Sequence, residues 1–226
     1  MCSRVFRYAV ATDRAESDPA AALVDALVTP PKGGYPAILD RKEIGGLLRS
    51  VRGYQGTPTT RTGLLLCAYT FLCPGEVAAL HWTDVDLDGG QITIPAERMK
   101  MPRPHVVPVS TQVAGLLREI QPLTGRFRFV LNSLRSTDRH ISDNTLNAAL
   151  RRLGYTKEEM VAHGFRQIAS TILNEEGWNP DWIERQLAHV ERNKVRRAYD
   201  KSEHLAGRIE MMQAYADLLD RLESAR

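Results

Sequence analysis

The sequence predicts a mainly helical fold carrying one small antiparallel β-sheet, an α+β arrangement. Three observations predict it. Apolar residues recur at helical spacing through most of the chain. A single strong hairpin signal, Asp88-Gly89-Gly90 between alternating apolar residues, interrupts that pattern. The 43% hydrophobic and 25% charged fractions are those of an ordinary globular protein.

The elements follow in order. Residues 1–27 read as two short helical pieces broken at Ser17-Asp18-Pro19. Thr29-Pro30-Pro31-Lys32-Gly33-Gly34 has linker composition, which places a domain boundary between residues 1–34 and 35–226. Asp40 is a helix cap with Glu43 three residues on, predicting a helix over 41–51. Residues 60–72 and 74–81 read as two apolar helices split at Pro74-Gly75. Ile92 and Ile94 alternate after the glycine turn, and Val106-Val107-Pro108-Val109 is the returning strand. Ser110 caps a helix through Ile120, Phe129-Val130-Leu131 is a short strand or loop, and Ser142 opens a helix to Leu153. Phe165, Ile168, Ala169, Ile172 and Leu173 trace the apolar stripe of a helix over 164–176, which Gly177 stops. Pro180 starts another helix to about Ala188. Residues 192–201 form a short basic helix, and 203–223 an amphipathic one with its stripe at Leu205, Ile209, Met212, Ala216, Leu219 and Leu222.

Composition excludes a collagen-like chain, a disulfide scaffold and wholesale disorder. No apolar run approaches the roughly 20 residues of a membrane span, and the first residues lack the apolar core of a signal peptide. Cys2, Cys67 and Cys73 are odd in number and widely spaced, as for free thiols in a reducing cytoplasm. The formal charge of +3 hides a strong asymmetry. Residues 98–152 carry ten Lys or Arg against three acids, and Arg185, Arg192, Lys194, Arg196, Arg197 and Lys201 add a second basic strip. Segregated positive charge is the footprint of a polyanion binder, although charge runs are also common on solvated helix faces.

Four local features remain: FLCPGEVAALHWTDVDL over 71–87, ERMKMPRPHVVPVS over 97–110, HGFRQIASTILNE over 163–175 and QLAHVERNKVRRAYDKSEHL over 186–205. Each has an ordinary reading when taken alone. His163 and Arg166 share one face of a helix start as any residues three apart do, Lys100 faces solvent on a hairpin, His189 caps a helix end, and Tyr199 packs with a wet tip. Together and in this order they resemble the catalytic domain of the tyrosine recombinases, most closely the phage and genomic-island integrase branch. The resemblance covers roughly residues 36–226.

That resemblance implies the DNA breaking-rejoining fold and a definite chemistry on double-stranded DNA. A tyrosine hydroxyl attacks a phosphodiester, forms a 3′-phosphotyrosyl bond and releases a 5′-hydroxyl, so the bond energy is kept for rejoining. Cations surround the phosphate in place of a metal, and neither metal nor cofactor is implied. By resemblance Tyr199 is the nucleophile and Arg166 the second of two arginines. His163 bonds the phosphate or manages the tyrosine proton, and His189 bonds a non-bridging oxygen. Lys100 is the general acid for the leaving oxygen, and Glu76 orients its neighbours. Arg98, Arg103, Arg151, Arg152, Arg192, Lys194 and Arg196 are the candidate DNA contacts.

Two departures stand out. The family's first arginine precedes Pro-Gly-Glu, and here that position is Cys73. A thiol is a weak donor without permanent charge. Losing one preorganised donor costs about 2.7–4 kcal/mol in the transition state. An engineered or chance change, a decayed gene copy and a tolerated variation all remain open, as does partial substitution by Arg61. Secondly, residues 1–34 resemble only the end of a core-binding domain, so an impaired recombinase that grips DNA from one side is expected. On this reading the chain is a monomer alone, a tetramer only on DNA, and cytoplasmic in a bacterium or phage-infected cell. Two other classes stay in view. One is a catalytically inactive DNA-binding remnant of an integrase, which Cys73 favours. The other is a metal-dependent hydrolase built on His105, His140, His163 and His189, which the lack of a clustered carboxylate set disfavours.

Overall fold

The computed structural model describes residues 2–23, 34–100, 103–189 and 204–225. They divide into two compact units, Met1–Gly34 and Tyr35–Arg226. In the first unit helix α1 spans Cys2–Ala11 and buries none of its residues. Of the second helical piece expected there, the described part is a 3-10 turn, Ala21–Leu23, and residues 24–27 lie outside the described residues. Asp18 explains the break. Its carboxylate accepts from Ser3 Oγ at 2.5 Å and from the Ala20 amide at 2.9 Å, closing a turn instead of a helix.

The second unit is built around one buried helix. Helix α2 (Arg41–Arg52) starts where Asp40 accepts from the Lys42 and Glu43 amides, and it buries Ile44, Leu47, Leu48 and Val51 on one stripe. Helix α3 (Pro58–Thr70) opens on a Thr57 cap with Pro58 in its first turn and is buried on every side from Thr62 to Thr70. An all-round apolar helix belongs at a centre, and α3 packs against neighbours on several sides. Helix α4 (Pro74–Ala78) is shorter than expected. Leu80 turns its carbonyl to the Val130 amide at 2.9 Å and His81 bridges Phe129, so sheet-like pairing ends the helix. The same pairing settles Phe129-Val130-Leu131 as a bridged loop.

The sheet has three strands, one more than the hairpin signal predicts: β1 (Val85–Asp86), β2 (Gln91–Ile94) and β3 (His105–Pro108). They are antiparallel in the order β1-β2-β3, with Ile92 opposite Val107 and Ile94 opposite His105. A two-residue strand is too short to show the alternation by which strands are read from sequence. Helices α5 (Thr111–Thr124), α6 (Asp143–Arg152), α7 (Gly164–Glu175), α8 (Pro180–Gln186) and α9 (Leu205–Ser224) complete the described unit. The basic helix expected over 192–201 lies outside the described residues.

Helix α9 packs on α2 of its own chain, and its stripe is rotated from the expected one. It buries Arg208, Met211, Met212, Tyr215, Ala216 and Leu219, while Leu205 and Ile209 stay 37% and 52% exposed. Each apolar side chain so buried stabilises the packing by about 1.5–3 kcal/mol. Polar ties supplement it. Arg49 donates to the Glu223 and Ala225 carbonyls, both at 2.7 Å, satisfying the helix end, and Tyr69 donates to Asp220 at 2.6 Å.

Candidate active site

The site forms around Arg166, a guanidinium only 8% exposed and placed in the first turn of α7. A buried cation needs compensating acceptors, and two backbone carbonyls supply them. Arg166 Nη1 donates to the Phe71 carbonyl and Nη2 to the Leu187 carbonyl at 2.6 Å. Left-handed backbone, which L-residues rarely adopt, occurs at the first of these carbonyls and just after the second. Phe71 itself has φ 64°, and Ala188, directly after Leu187, has φ 52°. Left-handed non-glycine residues cost of order 1–3 kcal/mol each and persist where the surroundings over-determine them. Here the buried Phe71 ring is locked edge-on against Tyr215 of α9 at 4.8 Å.

His189 stands beside Arg166. Arg166 Nη2 lies 3.3 Å from His189 Nε2, and His189 Nδ1 lies 2.9 Å from Glu184 Oε2 on α8. With Nε2 accepting from the guanidinium, the ring proton sits on Nδ1 and points to Glu184, which fixes the tautomer. His163 occupies the position before α7. Its pKa is lowered to about 4, first by burial and then by the positive charge of Arg166 and the neighbouring His189, so the imidazole is neutral at physiological pH. The ring of Tyr35 lies against it with centroids 3.9 Å apart.

Cys73 completes this side. Its backbone N–H donates to Glu76 Oε2 at 2.8 Å at the start of α4. The thiol feels both Arg166 and Lys100, so it sits among the same cations, but burial is the largest influence and Glu76 adds to it. Its pKa is therefore raised and the thiol stays protonated. Lys100, exposed on the segment after β2, is near enough to act on that thiol electrostatically. Arg61, the candidate substitute for a guanidinium there, pairs with Glu119 of α5 at 2.9 Å.

The structure thus brings together Arg166, His163, His189, Lys100, Glu76 and position 73. Tyr199, Arg192, Lys194 and Arg196 lie outside the described residues. Among the remaining candidate DNA contacts, Arg98 is paired with Asp84 and also donates to the Ala79 carbonyl at 3.2 Å. Arg151 donates to the Met160 carbonyl and Arg152 to Tyr54 Oη at 3.1 Å. Arg103 is exposed. Arg98 and Arg151 therefore have structural work, which an expectation built on charge alone overlooks. Sequence reading also missed Tyr35, Glu184 and the Phe71 and Leu187 carbonyls. Only Glu184, five residues before His189, left any signal, and a carbonyl leaves none. Among the described residues no three His, Cys, Asp or Glu side chains come together as a metal site. No described helix is long and apolar enough to cross a membrane.

Comparison with known proteins points the same way. The phage integrase family matches residues 38–204. Prophage integrase IntA of Escherichia coli K12 is 37% identical over 227 residues, covering 99% of this chain and 54% of IntA. The integrase of enterobacteria phage P4 is 38% identical, covering 96% of this chain and 52% of its own length. The chain therefore spans about half the length of these curated relatives. Among solved structures, the integrase from mycobacterium phage Brujita superimposes with a TM-score of 0.62 at 16% identity, covering 98% of this chain and 74% of that one. A lambda integrase dimer bound to a COC′ core site gives 0.63 at 17% identity, covering 88% of this chain and 57% of that one. At such identities the likeness speaks for the fold, that of tyrosine recombinase catalytic domains. With a family match over most of its length and relatives above one-third identity, the chain belongs to the phage integrase family of tyrosine recombinases.

Proposed function

We propose that this chain carries the site for DNA strand cleavage and rejoining in site-specific recombination, with Tyr199 forming a 3′-phosphotyrosyl intermediate. The observation that carries the reading is the gathering of Arg166 and His163 at the start of α7 with His189 after α8 and Lys100 after β2, around a guanidinium preorganised by two carbonyls. A pentacoordinate phosphate gathers charge on its non-bridging oxygens, and a fixed guanidinium fork suits that charge. Neutral His163 is equipped to accept the tyrosine proton or to hydrogen-bond the phosphate. His189, with Glu184 behind it, is placed to bond a non-bridging oxygen. Lys100 supplies a proton to the departing 5′-oxygen. Residues 1–34 are then the end of a core-binding domain ahead of a catalytic domain over 35–226, acting in the cytoplasm. Double-stranded DNA is the partner, held through phosphates, with the chain monomeric alone and tetrameric on DNA. The protein needs no metal in this scheme.

The neutral Cys73 thiol supports weak catalysis, and with it a second reading, a DNA-binding member that no longer transfers strands. Restoring the guanidinium separates the two. Cys73→Arg places a cation beside Glu76 and Arg166 and is expected to raise covalent complex formation on a cognate suicide substrate at least tenfold, a floor set below the roughly 100-fold or more that one preorganised donor of about 2.7–4 kcal/mol supplies. Tyr199→Phe in that background abolishes the covalent band. Equal yields from the parent chain and the Cys73→Arg variant would refute the assignment of position 73, and a band surviving Tyr199→Phe would refute the nucleophile.

A further inference from the structure

The ring lying against His163 comes from outside every motif that marks the family. Tyr35 belongs to a segment pinned to the entrance of α7 by its backbone. The Val161 amide donates to the Pro36 carbonyl at 3.3 Å. Gly164 runs so close beneath that a Cβ there would stand 2.4 Å from the Pro36 carbonyl oxygen and 3.2 Å from Ala37 Cβ. Proline fixes its own φ and holds the residue before it extended, so these contacts set where Tyr35 emerges. The side chain then turns away from the core. Tyr35 remains 59% exposed, yet its ring centroid is 3.9 Å from that of His163 with planes tilted by 36°. An aromatic residue left that exposed gains little from core burial, and its ring lies against the imidazole instead.

We infer that Tyr35 is a positioning residue for His163, clamping the imidazole against the α7 entrance so that its nitrogens keep one direction and one face is closed to water. The inference rests on the reading that His163 serves the phosphate or the tyrosine proton. The charged and titratable groups facing His163 are Arg166 on its own helix and His189 after α8, and both oppose a charge on the ring. Burial opposes it most. Removing the Tyr35 ring opens a face to water and weakens that largest influence, while the two cations stay in place.

The test is a side-chain NMR titration of the histidines in the DNA-free chain, with His163 assigned through His163→Gln. Tyr35→Ala is expected to move the His163 pKa upward from about 4 toward the ordinary 6.5, by about one unit or more. Tyr35→Phe keeps the ring and is expected to hold the original value. His105, buried elsewhere, is the internal control for an intact fold and should not move. A Tyr35→Ala titration matching the parent protein overturns the inference, as does a Tyr35→Phe shift as large as that of Tyr35→Ala. A second arm uses the Cys73→Arg background. There Tyr35→Ala shifts the acidic limb of the cleavage pH profile in the same direction and Tyr35→Phe restores it. If the Cys73→Arg protein cleaves nothing, the strand-cleavage reading fails while the titration still decides the role of Tyr35. If it cleaves with a profile that ignores Tyr35→Ala, the positioning role fails alone.

Discussion

On the proposed function, a single side chain carries most of the departure from the family's chemistry. Position 73 holds a protonated thiol among cations, beside a carboxylate at the start of α4. Its chemical poverty is legible in the sequence, because the surrounding Pro-Gly-Glu names the position. Its electrostatic surroundings are not, since Arg166 lies 93 residues away in the chain and is brought close only by folding. His105 is the second decisive residue at this scale. It is 3% exposed on β3, and its pKa is lowered to about 3 by burial and then by Arg208, Arg185 and Arg166. In the unfolded chain it titrates near 6.5. Between those values the unfolded state binds the extra proton, so folding stability falls as pH drops from about 6.5 toward 3, by at most about 1.4 kcal/mol per pH unit from this group. Denaturant titrations at pH 7, 5 and 4 should show the loss, and His105→Leu should make it shallower, with His163 contributing to the slope that remains. An equally steep profile in the variant would remove His105 as the cause.

At the scale of elements, close backbone approaches separate glycines that matter from those that do not. Helix α2 presents two in succession. A Cβ on Gly45 would lie 2.1 Å from the Leu222 carbonyl oxygen of α9, whereas a Cβ on Gly46 meets only the tip of Arg49 at 3.8 Å. Gly45→Ala should therefore unseat α9 and cost about 1–3 kcal/mol in overpacking. Gly46→Ala should be neutral or stabilising by roughly 0.5–1 kcal/mol, because alanine suits a helix interior better. Urea unfolding midpoints of the pair check this, and equal effects would deny the close packing. The helices themselves were largely readable. The capped starts at Asp40 and Ser110 and the stripe of α7 stand where their residues predict. The errors share one cause. The end of α4, the third strand and the rotation of α9 were each set by a partner distant in sequence: the Val130 amide, the edge of β2, and the surface of α2.

Across the whole molecule, a fully buried arginine links the C-terminal helix to the site. Arg208 of α9 donates to Gln186 Oε1, 2.6 Å from Nη2, and to the Val106 carbonyl of β3. Gln186 donates in turn to the Thr70 carbonyl at 3.0 Å. Thr70 precedes Phe71, and Gln186 precedes Leu187, so the network adjoins both carbonyls that hold Arg166. Arg208→Met should cost about 1–3 kcal/mol for each buried acceptor it orphans. It should lower the denaturation midpoint with an unchanged slope, and Arg208→Lys should recover part of the loss. A midpoint equal to that of the parent protein would show the network to be ornamental. Helix periodicity offered no hint of this residue, since an arginine on an apolar stripe reads as a solvated flank.

The sequence by itself determined the family, the helical class, the α2 and α7 boundaries, the start of α5 (though not its end, which runs to Thr124 and not Ile120) and the anomaly at position 73. Those follow from local chemistry: caps, proline and glycine stops, apolar spacing and an ordered set of motifs. Only the tertiary structure decided how Arg166 is held, that His163 is neutral and covered by Tyr35, which basic residues are tied to carbonyls and acids, and which face α9 buries. The reason is physical. Backbone carbonyls, burial and opposing charges act through space, and the groups involved meet across separations that no local pattern encodes.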